Sequence, residues 1–295
     1  MPEEIPQQIE TGPQVSAILA GFNQVAELRR AIEALERTRD RERLEIVVVD
    51  CGSSDESAQL DASFPGINLL RLPHHFGATK AMNIASRTAK AELLFFLSPN
   101  VEVGPETIGA LVDRLEQTPD AIAACPLLVD DRGQPVSKDV KLPTREVFAS
   151  WCAGVEPTGG AIDVSQESVV VEYPGREAVM VRKVFVRGMN YFDDRFGQFG
   201  ADIDLAMQIR RAGKKIRLYP SIRAVRHEDQ DPLAGDRLLE ADRILGAAAL
   251  IGKYEGFLAG LRFRLTAILK ALVGFKFGLL SALLSGQKID GSQTS

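Results

Sequence analysis

Six residues, Glu45-Ile46-Val47-Val48-Val49-Asp50, constrain the fold more than any other part of the chain. The run is apolar without alternation and ends in a carboxylate. A strand that presents apolar side chains on both faces has to be covered on both, which is the situation at the centre of a parallel sheet. Parallel neighbours need crossover connections, usually helices, and the flanking sequence supplies them. Val15 to Leu19 is a short apolar run that stops at Ala20-Gly21-Phe22-Asn23. Val25, Leu28, Ile32 and Leu35 then recur at spacings of three and four, the period of a helix with one buried face.

The same alternation continues. Ile67 to Leu72 reads as a strand, Ala78 to Ala89 as a helix, and Leu93 to Leu97 as a strand ending at Ser98-Pro99-Asn100. A helix is expected from Pro105, with Ile108, Leu111, Val112 and Leu115 on one face and proline at its start. Ile122 to Leu128 is a further strand. Strand and helix alternating over residues 15–128 predict an α/β fold with a mainly parallel central sheet. Ligands of such sheets bind at the carboxyl ends of the strands. Three polar clusters occupy those ends: Gly21 to Asn23, Asp50 to Asp55, and Ser98 to Asn100. One alone reads as a turn; three on consecutive strand ends point to a shared site.

Beyond residue 130 the pattern weakens. Residues 130–167, with the single tryptophan Trp151, read as a long connection that can overlie the site. Val169 to Tyr173 and Ala178 to Val181 look like strands, and Asp202 to Arg211 like a helix with Gly213 as its stop. Ile216 to Tyr219 and Ile222 to Val225 are short strand-like pieces before His227-Glu228.

Composition narrows the function classes. The 295 residues are 45% hydrophobic and 25% charged, which suits a globular chain of one or two domains. A net charge of −5 argues against a general nucleic-acid binder. Cys51, Cys125 and Cys152 are an odd number without CxxC spacing, so neither a disulfide framework nor a cysteine zinc site is expected. Residues 1–13 carry Glu3, Glu4 and Glu10 with no apolar run, and read as a flexible acidic tail rather than a secretion signal. A cytoplasmic location is expected, with the option of a peripheral position on the inner face of the membrane.

That option comes from the far end. From Phe257 to Gln287 there is no acidic residue, and the charges are Arg262, Arg264, Lys270 and Lys276. The longest uncharged run, Phe277 to Gln287, is well short of the ~18 residues of a spanning helix. Thr266, Lys270 and Ser281 share one helical side, and Ile268, Leu272, Phe275 and Leu279 another; Arg264 falls on the apolar side. Two readings stay open: a basic amphipathic helix lying in a membrane interface, and a helix packed on its own domain or a second subunit. The organisation is therefore 1–13 tail, 14–235 sheet domain, 236–288 helical region and 289–295 tail.

Taken together, these residues resemble a family. Val15-Ser16-Ala17-Ile18-Leu19, Phe22-Asn23, Val47 to Asp50 and Gly52-Ser53-Ser54-Asp55 look like the opening of a family 2 glycosyltransferase. Gly77 to Asn83 resembles the segment that follows, and Leu94 to Asn100 the strand that delivers a metal-binding Asp-x-Asp. Ala178 to Arg182, Asp193 to Phe196, Gly200 to Leu205, Arg210 to Gly213, Pro220 and His227 look like the later half. The match runs in order over residues 14–228, and within the family it is most similar to the bacterial rhamnosyltransferase-like branch of cell-surface polysaccharide assembly.

The resemblance implies a GT-A fold, a UDP- or dTDP-sugar donor, a glycan or lipid-linked acceptor and inversion at the anomeric carbon. Asp50 is implied to accept the imide N–H of the base, with Gly21, Phe22, Lys80, Ser98 and Asn100 also on the nucleotide side. Inversion calls for a carboxylate near the attacking hydroxyl. Asp202 matches the second residue of the family's Glu-Asp pair, and Asp204 is the runner-up. Arg182, Asp204 and His227 are placed on the acceptor or diphosphate side, with His227 and Asn100 as metal ligands. The sequence departs from the pattern at two points. Ser98-Pro99-Asn100 stands where an acidic ligand is common, and Ala201 replaces the glutamate. Mg²⁺ and Mn²⁺ prefer carboxylate oxygen, so a metal is expected to be weakly bound or absent. The competing reading is a catalytically silent GT-A domain that binds a nucleotide sugar or a partner transferase as a scaffold. A dinucleotide oxidoreductase is disfavoured, because no Gly-x-Gly-x-x-Gly follows the first strand.

Overall fold

The structure, a computed structural model, describes residues 12–142, 144, 159–228, 233, 234, 236 and 238–289. The proposed tail at 1–13 lies almost entirely outside the described residues, as do Trp151, Cys152, most of 143–158 and 290–295.

The chain runs β1 (Val15–Gly21), α1 (Val25–Glu36), β2 (Leu44–Asp50), α2 (Leu60–Ser63), β3 (Ile67–Arg71), α3 (Gly77–Thr88), β4 (Leu93–Leu97), β5 (Val101–Val103), α4 (Thr107–Gln117) and β6 (Ala121–Val129). It continues with β7 (Lys138–Asp139), β8 (Gly160–Ala161), β9 (Val169–Val171), β10 (Ala178–Arg182), α5 (Lys183–Gly188), α6 (Ala201–Arg211) and β11 (Lys215–Arg226). Three helices close it: α7 (Leu239–Glu255), α8 (Phe257–Val273) and α9 (Phe277–Ser285).

One large sheet has the order β3-β2-β1-β4-β10-β6-β11-β5, with β9 on β11. It is parallel from β3 through β4, as the strand–helix alternation requires. Beyond β4 it is mixed: β10 enters antiparallel between β4 and β6, while β6 and β11 pair in parallel. The unbroken apolar run of β2 is accounted for by two covered faces. Ile46 and Val48 pack with Leu28, Ile32 and Leu35 of α1 on one side. Val47 and Val49 pack with Ala81 and Ala85 of α3 on the other.

Several elements differ from expectation for local reasons. The helix after Pro105 begins at Thr107, whose hydroxyl accepts from the Gly104 N–H at 3.1 Å. The three residues of β5 and the six of α5 are too short to show a period. The two pieces at 216–219 and 222–225 are one strand, β11, whose register on β6 shifts between Tyr219 and Arg223. Pro220 sits at that irregularity, where its missing N–H is tolerated. The described part of the 130–167 connection is ordered: β7 pairs with β8, and Val140 bridges to Tyr173.

The last three helices build their own small core around Ala241, Ile244, Ala271, Ala282 and Leu283. The α7–α8 crossing is close because both partners lack a side chain. A Cβ on Gly260 would lie 2.5 Å from the Ala248 carbonyl oxygen and 2.9 Å from Gly252. Among the described residues no helix is long and apolar enough to cross a membrane.

Candidate active site

Three loops meet at the carboxyl ends of β1, β2 and β3. Gly21 and Asp50 are neighbours in the β1–β2 register. Asn23 takes a left-handed φ of 52°, a conformation asparagine tolerates. There its N–H donates to the Ser53 hydroxyl at 2.9 Å and its Oδ1 accepts from the Ser54 N–H at 2.8 Å. Asp55 completes the lacing, accepting from the N–H groups of Val25 and Ser57, both at 3.0 Å. Asp55 is thus a cap that fixes the loops. Gly52 has φ +78°, and a Cβ there would lie 2.8 Å from the His74 backbone, so glycine is required where two loops press together.

Asp50 stands at the end of β2, among these loops. The Asp50 carboxylate is 2% exposed. Its Oδ1 accepts from the Ser53 N–H at 3.2 Å. Its charge and burial together push the neighbouring Cys51 thiol up to about 12, burial being the larger cause. Phe22 stands edge-on to His75 with ring centroids 4.7 Å apart. The His75 Nδ1 accepts from the Gly77 N–H at 3.1 Å, and burial holds the ring below the usual histidine range. His75 gave no sequence signal beyond its identity; it enters the site because the loop after β3 folds back against the loop after β1.

The second half of the site lies at the ends of β4, β6, β10 and β11. A cavity of about 950 Å³ opens there, lined by Tyr173, Arg176, Glu177, Asp202, Arg226 and Arg243 among others. Asp202 sits in the first turn of α6, where a negative charge is favoured. The turn begins at Gly200, whose φ of +114° would strain any other residue. The Tyr173 hydroxyl donates a hydrogen bond to Asp202 Oδ2. Burial first, and then the Asp202 charge, push the Tyr173 hydroxyl well above its usual range, so it remains a donor. Arg176 and Arg243 both lie over the Phe199 ring, at 5.6 and 4.7 Å.

Tyr173, Glu177, Arg226 and Arg243 were not singled out from the sequence. Glu177 joins the site because β10 runs antiparallel to β4, which sets its start at the same edge as Ser98. The Ser98 N–H donates to the Glu177 carbonyl at 2.7 Å, and the Glu177 carboxylate lies 3.5 Å from Arg226.

Other sequence candidates move. Arg182 does not belong to the diphosphate side. It pairs with Leu93 at the start of β4, the opposite edge of the sheet, and donates to the Leu115 carbonyl at 2.8 Å. A strand read alone gives no direction, and β10 runs against its neighbours. Asp204 does not reach the acceptor side either. It is fully buried and accepts from Lys253 Nζ at 2.9 Å and the Tyr254 hydroxyl at 2.5 Å. Lys80 is exposed on α3.

Asn100 and His227 do come together, through the backbone. The His227 N–H donates to the Asn100 carbonyl at 2.9 Å, and Asn100 Nδ2 donates to the His227 carbonyl at 3.2 Å. Both ring nitrogens of His227 meet carboxylates, Nε2 with Glu102 at 3.3 Å and Nδ1 with Asp131 at 2.6 Å. The pair as arranged does not fit a divalent ion: the amide is directed at a carbonyl and the imidazole at two acids. Among the described residues no group of three or more His, Cys, Asp or Glu side chains is placed to hold a metal.

Residues 16–151 match the model of glycosyl transferase family 2. The chain carries a family 2 glycosyltransferase domain. That family 2 domain is similar to an uncharacterised glycosyltransferase, Rv1514c, of Mycobacterium tuberculosis: 33% identical over 107 residues, 36% of this chain and 41% of the relative. The O-antigen biosynthesis protein RfbC of Myxococcus xanthus is 24% identical over 256 residues, covering 80% of this chain and 19% of RfbC. The matched parts are therefore less than half the length of either relative. The crystal structure of GalNAc-T7 with UDP, GalNAc and Mn²⁺ superposes with a TM-score of 0.61 at 16% identity, covering 75% of this chain and 45% of that one. The shared architecture is the GT-A fold.

Proposed function

We propose that the chain is an inverting glycosyltransferase that moves a sugar from a pyrimidine nucleoside-diphosphate donor to an acceptor hydroxyl, with Asp202 as the general base. The observation that carries this reading is the Asp202 carboxylate, set at a helix start in a cavity of about 950 Å³ and oriented by the Tyr173 hydroxyl. Asp50 would accept the imide N–H of the base through its second oxygen, with Phe22 and His75 forming the apolar wall. The acceptor hydroxyl would give its proton to Asp202 Oδ1 as its oxygen bonds to the anomeric carbon. The bond from that carbon to the diphosphate breaks on the opposite face, and its electron pair leaves with the diphosphate. The resemblance of the chain to polysaccharide-assembly enzymes, RfbC among its relatives, supports a glycan or lipid-linked acceptor.

The test is Asp202→Asn in donor hydrolysis and, once an acceptor is found, in transfer. The substitution keeps shape and loses basicity, so transfer should fall by ~10²–10⁴-fold with nucleotide affinity unchanged. Donor affinity should differ little between EDTA and Mn²⁺, given the partners of Asn100 and His227. A second reading, a silent nucleotide-sugar-binding scaffold, is favoured by Ser98, Asn100 and Ala201 in place of acids. It requires that no donor be hydrolysed by the wild type.

A further inference from the structure

Helix α8 buries only one side. Gly260 and Ala271 are buried, and Phe263, Ala267 and Ile268 pack against the small C-terminal core. The other side is apolar and exposed. Phe257 is 76% exposed, Leu269 60% and Val273 69%, with Leu258, Leu261, Leu265 and Leu272 in the same stripe. At about 100° per residue these side chains fill an arc of about 160°. Arg262 lies within that arc near one edge, and Thr266 and Lys270 lie just beyond the same edge, all three exposed. Arg264, which falls among apolar positions in the sequence, turns inward and donates to the Leu283 carbonyl through Nε at 3.0 Å.

The stripe continues past the helix end. Phe275 takes φ 54°, a conformation strained for a bulky residue, and the turn it makes leaves it 76% exposed beside Phe277 at 66%. The two rings meet at 6.3 Å. A strained turn that sets two aromatic rings into solvent has to be explained by something they enter. Patches of this size mark interaction surfaces.

We propose that the exposed face of α8, with the Phe275–Phe277 turn, lies in the interface of an anionic lipid bilayer. Charge decides the occupant. From 257 to 287 there is no acidic residue, and Arg262 and Lys270 lie along one edge of the apolar arc, as basic residues do on an interfacial helix. A second copy docked by the same face would set Arg262 and Lys270 against their own equivalents. A bilayer with anionic headgroups takes both the apolar stripe and its basic border. This surface is distinct from the sugar-transfer site and does not depend on how that site is read.

The test is flotation of the full chain with vesicles of phosphatidylcholine alone and with added phosphatidylglycerol. The wild type should float with the anionic vesicles and weakly or not at all with the neutral ones. The double variant Leu265→Glu/Leu269→Glu changes only exposed positions, and it should lose flotation at least tenfold while its circular dichroism and melting midpoint stay unchanged. Arg262→Gln/Lys270→Gln should lower partitioning by roughly fivefold per charge, as about 1 kcal/mol per basic residue implies, and blunt its salt dependence. Wild type that stays in solution would overturn the proposal. So would equal flotation of the Leu265→Glu/Leu269→Glu variant, or light scattering that shows a dimer dissociated by that variant without any vesicle binding.

Discussion

The Asp204 carboxylate is fully buried against the Lys253 ammonium at 2.9 Å, tying α6 to α7. The Tyr254 hydroxyl donates to the same carboxylate at 2.5 Å, and the Asp193 carboxylate lies 3.6 Å from the lysine. Asp202 and Asp204 are two residues apart, which is about 200° around a helix. One faces the cavity and the other is spent on holding the helix in place. Removing one member of a buried pair strands the other, at about 3–5 kcal/mol. Asp204→Ala should therefore lower the urea midpoint sharply. Lys253→Ala should do so as well, and the double variant should cost less than the sum of the two. Additive losses would show that the pair is not coupled.

In the proposed reaction Tyr173 would act through Asp202. Its hydroxyl donates to Asp202 Oδ2, which directs the other oxygen into the cavity. Tyr173→Phe removes the donor and keeps the packing. A hydrogen bond to a charged group contributes about 1.5–3 kcal/mol, so transfer should fall by ~10–100-fold. The loss should appear in kcat, with the donor KM unchanged. Full activity of Tyr173→Phe would remove Tyr173 from this role.

Asp50 is tested by affinity alone. Asp50→Ala leaves a donor on the base unmatched and should weaken UDP or dTDP binding by about 1–3 kcal/mol in calorimetry. Asp55→Ala should also weaken binding, by loosening the loop it caps at Val25. It should carry a larger fall in melting temperature than Asp50→Ala, since Asp55 accepts from two backbone N–H groups and Asp50 from one, and equal melting losses would make both residues structural.

The loops at the ends of β1 and β2 were legible because they are local. Gly21, Phe22 and Asp50 lie at the ends of unbroken apolar runs, and parallel strands bring those ends together. The cavity around Asp202 is assembled from segments far apart in sequence. Asp202 was singled out from its motif, but Tyr173 reaches it across 29 residues. Arg243 comes from a helix whose relation to the cavity no spacing encodes. The misplacement of Arg182 has the same origin: the sequence of β10 does not reveal that it runs against β4. On α8 the period was visible, but which side the domain covers is a tertiary fact. Ile268 turned out to face the core while Leu272 and Phe275 face out.

Asp242 carries no motif that would single it out from the sequence. Its carboxylate is fully buried. It accepts from the N–H groups of Gln198 at 2.9 Å, Phe199 at 3.2 Å and Ile289 at 3.1 Å, so it fastens the loop before α6 to the end of the chain. Burial pushes it up from 3.8 to about 6, and the three N–H donors and then the Lys288 charge oppose the rise without cancelling it. The folded protein therefore holds this proton more tightly than the unfolded chain does. The resulting stability is fully present below about pH 4 and is lost as the pH rises through about 6, a change of at most ~3 kcal/mol. Asp242→Asn cannot titrate, and its amide would oppose at least one of the N–H donors, so it should be less stable than wild type. The wild-type advantage over Asp242→Asn, measured by urea denaturation, should shrink between pH 4 and 6 and level off above 7. An advantage that is flat or that grows with pH across that window would show that Asp242 is not held protonated by burial.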